Sequence, residues 1–202
     1  MLVDQKLESV AKKILKAKFL EICAIPEHAL EELFSYFTLE TYKKNTHIIR
    51  ETEPILHIYF IFKGIIRIYF YKNDKLIIER FVKEGGFFGG NYDHLSKYPG
   101  VHNYESLEDL VVLKIKHDDL ENLYKKHPSI ESLYRRQLEA FHFAYVDKLY
   151  TLKAANSEER YRDFELEYGD IINRISMKNV ASYLNMTAET VSRIRAKQSG
   201  NK

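Results

Sequence analysis

The chain has 202 residues, 45% of them hydrophobic and 13% aromatic, with 31 Lys or Arg against 29 Asp or Glu for a formal net charge of +2. This composition buries a large core and excludes a disordered chain, and no apolar run reaches the ~18 residues that would span a bilayer. The single Cys23 forms no internal disulfide and cannot hold an iron–sulfur cluster alone, so packing in an apolar helix-to-loop segment is its expected role. The N-terminal stretch MLVDQKLESVAKK is amphipathic and carries acids, unlike a secretory signal or a transit peptide, and a cytoplasmic location is expected.

Residues 4–37 read as helical in two pieces broken near Pro26, with Leu7, Val10, Ile14 and Leu15, then Leu30, Leu33, Phe34 and Phe37, spaced for one face. From Leu39 the period changes to two. TYKKNTHIIR, LHIYFIFKG, IIRIYFYKN, KLIIERFV, VHNYESLE and LVVLKIKH are rich in Ile, Val, Tyr and Phe and predict an antiparallel sheet. Asn73-Asp74 supplies a hairpin turn and Lys63-Gly64 a sharp connection, giving a roll or jelly roll of about eight short strands over roughly residues 39–117. Inside it, GGFFGGNYDHLSKYPG (85–100) holds five of the eight glycines. Either a helix opens near Asn91 and points backbone N–H groups at an anion in the roll, or the segment is a pair of tight turns.

Asp118 to Tyr124 makes a short helix, Pro128 restarts the chain, and residues 129 to about 153 form a long helix without internal Gly or Pro. Its stripe of Ile130, Leu133, Tyr134, Leu138, Phe141, Tyr145, Leu149 and Leu152 is close to a coiled-coil seam. A twin helix from a second subunit is expected there, the alternative being packing on its own roll. Asn156 or Ser157 then caps SEERYRDFELEY, which Gly169 ends, and IINRI leads into the last segment.

Ser176 to Lys197, SMKNVASYLNMTAETVSRIRAK, reads as two short helices across a tight corner. Ser176 can cap the first and Thr187 the second, and Asn185 is suited to a left-handed corner. Val180, Leu184, Met186, Val191 and Ile194 close one small core, with Ala181 on the same face, leaving a polar outer side. On that side Arg193 suits the O6 and N7 acceptors of guanine, Glu189 a cytosine amino group, and Ser192 and Thr190 either. Ser176, Lys178, Thr187, Arg195 and Lys197 are placed for the backbone. From Arg174 onward six bases face one acid, a net of +5, while residues 1–173 carry 25 bases and 28 acids, a net of −3. The bland alternative is a solvated basic tail, which would need neither two caps nor a matching apolar face.

This order of elements resembles the Crp/Fnr family of bacterial transcription regulators over nearly the whole chain. EERYRDFELEYGDIINRISMKNVASYLNMTAETVSRIR is the most specific match; IYFIFKGIIRIYF, and EGGFFGG followed by LEDLVVLKI, are patterns of cyclic-nucleotide-binding-like rolls generally. The resemblance implies an α+β fold: N-terminal helices and an antiparallel, cyclic-nucleotide-binding-like β-roll (1–128), a long dimerisation helix and hinge (129–155), and a small helix-turn-helix domain lacking a complete wing (156–202). It implies a homodimer on a pseudo-palindromic site in double-stranded DNA, with an effector in the roll and RNA polymerase as an allowed further partner. Members that bind cyclic nucleotides place a Glu after the cassette Gly and an Arg about ten residues on. Here Gly90 holds the first place, Gly100 or a neighbour the second, and no Arg lies between Arg80 and Arg135. Cyclic AMP is therefore not the expected ligand; another effector would have Gly89, Gly90, Asn91, His102 and Tyr104 available. No β-hairpin wing follows the reading helix before Lys202, so fewer phosphate contacts are expected than in a winged relative.

Two other classes compete. A roll that senses a nucleotide or small molecule and regulates a protein partner would lack DNA affinity. A metal-dependent cupin-like enzyme would show a His-x-His pair, which His28, His47, His57, His94, His102, His117, His127 and His142 do not form. No catalytic residue, metal site or cofactor is identified, and a visible spectrum would decide whether a histidine holds haem.

Overall fold

The computed structural model describes residues 2–90 and 100–199. Two helices, α1 (Leu2–Ile22) and α2 (Glu27–Tyr36), precede eight strands. These are β1 (Thr38–Tyr42), β2 (His47–Ile49), β3 (His57–Lys63), β4 (Ile66–Lys72), β5 (Lys75–Val82), β6 (Phe87–Gly89), β7 (Asn103–Ser106) and β8 (Leu110–Lys116). They are followed by α3 (His117–Lys126), α4 (Pro128–Ala154), α5 (Ser157–Tyr168), a 3-10 turn (Ile172–Arg174), α6 (Met177–Leu184) and α7 (Ala188–Ser199).

The strands form two four-stranded antiparallel sheets, ordered β1-β8-β3-β6 and β2-β7-β4-β5. Alternation sends Tyr59, Ile61, Ile66, Ile68, Phe88 and Val112 into the space between them, where the rings of Tyr59 and Phe88 stack at 4.6 Å. The opposite parity of the first sheet, Phe60, Leu113 and Ile115, packs under α1–α4. The opposite parity of the second, Tyr69, Ile78 and Phe81, packs under α5–α7. Each sheet is thus apolar on both faces, which is why the strands read as nearly continuous hydrophobic runs.

The turn joining β4 and β5 has positive φ at both Asn73 (49°) and Asp74 (60°), the primed-turn geometry that matches the twist of a hairpin. TYKKNTHIIR is two strands in different sheets rather than one, because Asn45, at φ 61°, turns the chain between β1 and β2. Cys23 is half-buried against the helical core, its Sγ 4.0 Å from the Ser129 carbonyl.

The apolar stripe of α4 divides. Ile130 and Leu133 are 1% and 4% exposed and, with Tyr134, belong to the chain's own helical core. Leu138, Tyr145 and Leu149 are 42%, 39% and 41% exposed, and recur at seven and four residues along one outer face. The expectation of a single seam is corrected to that extent: its first turns serve this domain, and only the later positions lie on an exposed face. No helix among the described residues is long and apolar enough to cross a membrane.

Candidate nucleic-acid interface

The last three helices are built by local signals. Asn156 caps α5 through a reciprocal box: its side chain accepts from the Glu158 and Glu159 amides while Glu159 accepts from the Asn156 amide at 2.8 Å. Ser176 caps α6 by accepting from the Asn179 amide, and Thr187 accepts from the Thr190 amide at 3.1 Å to start α7. Between them Asn185 is left-handed (φ 51°, ψ 47°), and the Met186 amide donates to the Ala181 carbonyl at 2.9 Å, closing the end of α6. Val180, Ala181, Leu184, Val191 and Ile194 are buried with Tyr161, Phe164 and Tyr168 of α5.

Burying Val191 and Ile194 fixes the rotation of α7. At 100° per residue, Glu189, Ser192, Arg193 and Ala196 then share the opposite face, and all four are exposed. Lys178 on α6 is exposed as well, and among the described residues neither it nor Arg193 forms an ion pair. The other two cations of α7 are engaged. Lys197 pairs with Glu158 at 2.7 Å, and Arg195 lies 3.5 Å from Asn173 Oδ1. Thr190 is half-buried and its hydroxyl meets that of Thr187 at 2.9 Å, so it is part of the cap rather than of the outward face.

Arg174, counted above in the basic segment, is turned toward the roll. Its guanidinium bridges Glu84, at 2.6 and 3.1 Å, and Glu108. Those bonds raise the Arg174 pKa further, Glu84 contributing most. For Glu84 itself burial pushes upward, but the hydrogen bonds from Arg174 and from the Gly64 amide outweigh it and hold the carboxyl below its ordinary range.

The rest of the docking was not legible in the sequence. Ser182 of α6 accepts from the Ile78 amide (3.2 Å) and donates to the Leu76 carbonyl (2.8 Å), so one hydroxyl occupies the exposed edge of β5. Arg67 donates to Asn179 (3.0 Å) and to the buried Glu105 (2.8 Å), and Lys75 donates to the Asn185 side chain (2.9 Å). Lys148 of α4 reaches the Glu79 carbonyl at 2.9 Å and lies 4.3 Å from the centre of the Tyr183 ring. Burial lowers its pKa. These partners are over 30 residues apart, and no local pattern announces them.

The described roll residues named from the sequence make contacts with the roll itself. Gly89 and Gly90 have φ of 82° and 86°, and a Cβ on Gly90 would come within 2.4 Å of Ile58 Cγ1. The close approach that the glycines permit is therefore to β3, and a side chain at position 90 has no room unless Ile58 shifts. His102 pairs with Glu79 at 2.9 Å and meets Phe70 edge-on. Tyr104 is buried, its ring 6.0 Å from Phe88. Asn91, and the helix expected after Gly90, lie outside the described residues. No group of three or more His, Cys, Asp or Glu able to hold a metal occurs among the described residues.

Residues 39–127 match the cyclic nucleotide-binding domain family. No curated protein matches the chain. Among solved structures, FixK2 from Bradyrhizobium japonicum superposes with a TM-score of 0.69 at 24% identity, covering 82% of this chain and 85% of that one. The c-di-GMP-responsive global regulator CLP of Xanthomonas campestris gives 0.68 at 14%, covering 87% and 93%. A CooA variant from Carboxydothermus hydrogenoformans gives 0.63 at 15%, covering 82% and 78%. The fold shared with these structures is a cyclic-nucleotide-binding-like roll followed by a long helix and terminal helices.

Proposed function

We propose that the chain is a homodimeric, DNA-binding transcription regulator in which α7 enters the major groove of a pseudo-palindromic site. The observation that carries this is the outward face of α7: Glu189, Ser192 and Arg193 are exposed on a helix whose rotation is fixed by two caps and a left-handed corner. Arg193 offers a planar fork to guanine, Glu189 an acceptor for a cytosine amino group, and Ser192 a short hydroxyl. Lys178, Thr187 and Arg195, with Ser176 at the start of α6, position the helices on the backbone, and Thr190 supports the cap. The exposed face of Leu138, Tyr145 and Leu149 supplies the twofold pairing, and the like folds of FixK2 and CLP support the reading. The functional division is 1–128 for sensing, 129–155 for pairing and 156–202 for DNA, in the cytoplasm. The crowding around Gly90, which leaves no room for a glutamate Cβ as the strand stands, and the missing cassette arginine support an effector other than cyclic AMP.

Fluorescence anisotropy with a selected palindrome tests the reading. Arg193→Ala should cost about 1–3 kcal/mol with relaxed sequence preference. Discrimination unchanged in that variant, or no affinity for duplex in the parent, contradicts it.

A further inference from the structure

A cavity of about 130 Å³ lies between the first sheet's outer face and helices α1–α4, and at the β6 edge it reaches Phe88 and Gly89. Its walls are apolar, including Phe19, Leu33, Ile58, Phe87 and Ile130, and the single formal charge among its lining residues is Arg80. That placement follows from the strand. Ile68 of β4 pairs with Arg80 and Tyr69 with Ile78, so Glu79 is an extra residue, a bulge that leaves Arg80 opposite Ile68, from where its guanidinium reaches Phe141 of α4. Arg80 Nε is buried without a hydrogen-bond partner, and among the described residues no carboxylate lies within ion-pair distance of the side chain. Its guanidinium rests on the Phe141 ring, 4.7 Å from the centroid.

A dry apolar cavity of roughly 150 Å³ accepts benzene, so this one has the size for a single ring or a short branched chain. An apolar hole with one incompletely satisfied guanidinium at its wall suits a ligand with an apolar body and an anionic end. We infer that this cavity is a binding site for small aromatic or branched aliphatic carboxylic acids, with the ring or chain among Phe19, Ile58 and Phe87 and the carboxylate accepting from Arg80. A carboxylate there competes with Phe141 for the guanidinium and so alters a contact between β5 and the long helix. That coupling to the DNA face rests on the regulator reading, whereas the binding does not.

Thermal unfolding and ligand-observed NMR of the full chain with sodium benzoate, toluene and benzylamine at matched concentration test the site. Benzoate should bind tightest and benzylamine weakest. Arg80→Gln should weaken benzoate about tenfold, the worth of a charge-assisted hydrogen bond, and leave toluene unchanged. Leu133→Phe, which fills the cavity, should abolish binding of both. The inference is overturned if benzoate binds no better than toluene to the parent protein, or equally well to Arg80→Gln. If that variant does not fold, the ranking on the parent protein, and retention of benzoate binding by Arg80→Lys, decide. A failed titration leaves DNA binding untouched, and a chain without DNA affinity can still take benzoate, so the two readings fail separately.

Discussion

Asn185 shows how much depends on one backbone angle. Its left-handed conformation turns the chain in the two residues between α6 and the Thr187 cap, and that turn fixes where Arg193 points. A β-branched residue meets a steric penalty of about 1–2 kcal/mol in that conformation, whereas Gly does not. Asn185→Val should therefore lower stability by about 1–2 kcal/mol, read by chemical denaturation. Asn185→Gly should fall close to the parent protein, losing only the exposed bond from Lys75. Arg193 and Lys178 differ in kind. Removing the first should change which sequence is preferred, and removing the second should weaken all duplexes alike and flatten the salt dependence by about one unit of slope.

At the scale of elements, docking of α6 on β5 depends on a serine acting as both donor and acceptor at a strand edge. Ser182→Ala leaves an amide and a carbonyl of that edge without their partner and should cost about 1–2 kcal/mol. Hydrogen exchange at the Ile78 amide should rise in that variant. The long helix offers the second test. Tyr145→Glu with Leu149→Glu places two charges on its exposed face and should yield a monomer by light scattering; an unchanged mass would move the pairing surface elsewhere.

The terminal helices were legible in the sequence because caps, corner and apolar spacing are local, and Ser176, Asn185 and Thr187 occupy their expected roles. β6 was not. Its three residues, Phe87–Gly89, lie in a glycine-rich run that masks alternation, and pairing with β3 makes it a strand. The division of the α4 stripe was equally hidden, since period alone cannot say whether Leu133 or Leu149 finds its partner within the same chain. In the same way, Arg174 looked like one more base of a DNA-binding tail until Glu84 and Glu108, some 66 to 90 residues away, came into contact with it.

For the whole molecule, charge pairs tie the roll to the terminal helices: Arg174 with Glu84 and Glu108, and Lys83 with Asp170 at 2.5 Å. The Glu84 carboxyl is held below its ordinary value as described, and Asp170 by the hydrogen bond from Lys83. A carboxyl held low stabilises the folded state above its unfolded pKa and loses that contribution as pH falls through the folded value. Docking should thus be intact at neutral pH and weaken as pH drops through and below the ordinary carboxylate range of about 4. Hydrogen exchange should show residues 157–199 loosening before the roll. These pairs are largely exposed, so high salt should act in the same direction.

A homodimeric regulator requires two copies of α7 to face one duplex across a twofold axis. Selection of bound duplexes from a random pool tests it most directly. The prediction is an inverted repeat whose half-sites are centred about one helical turn, roughly 10–10.5 base pairs, apart or a multiple of it, with the preferred base altered in the pool selected by Arg193→Ala. A pool that stays random, or one that converges on a single asymmetric element unaffected by Arg193→Ala, would contradict it.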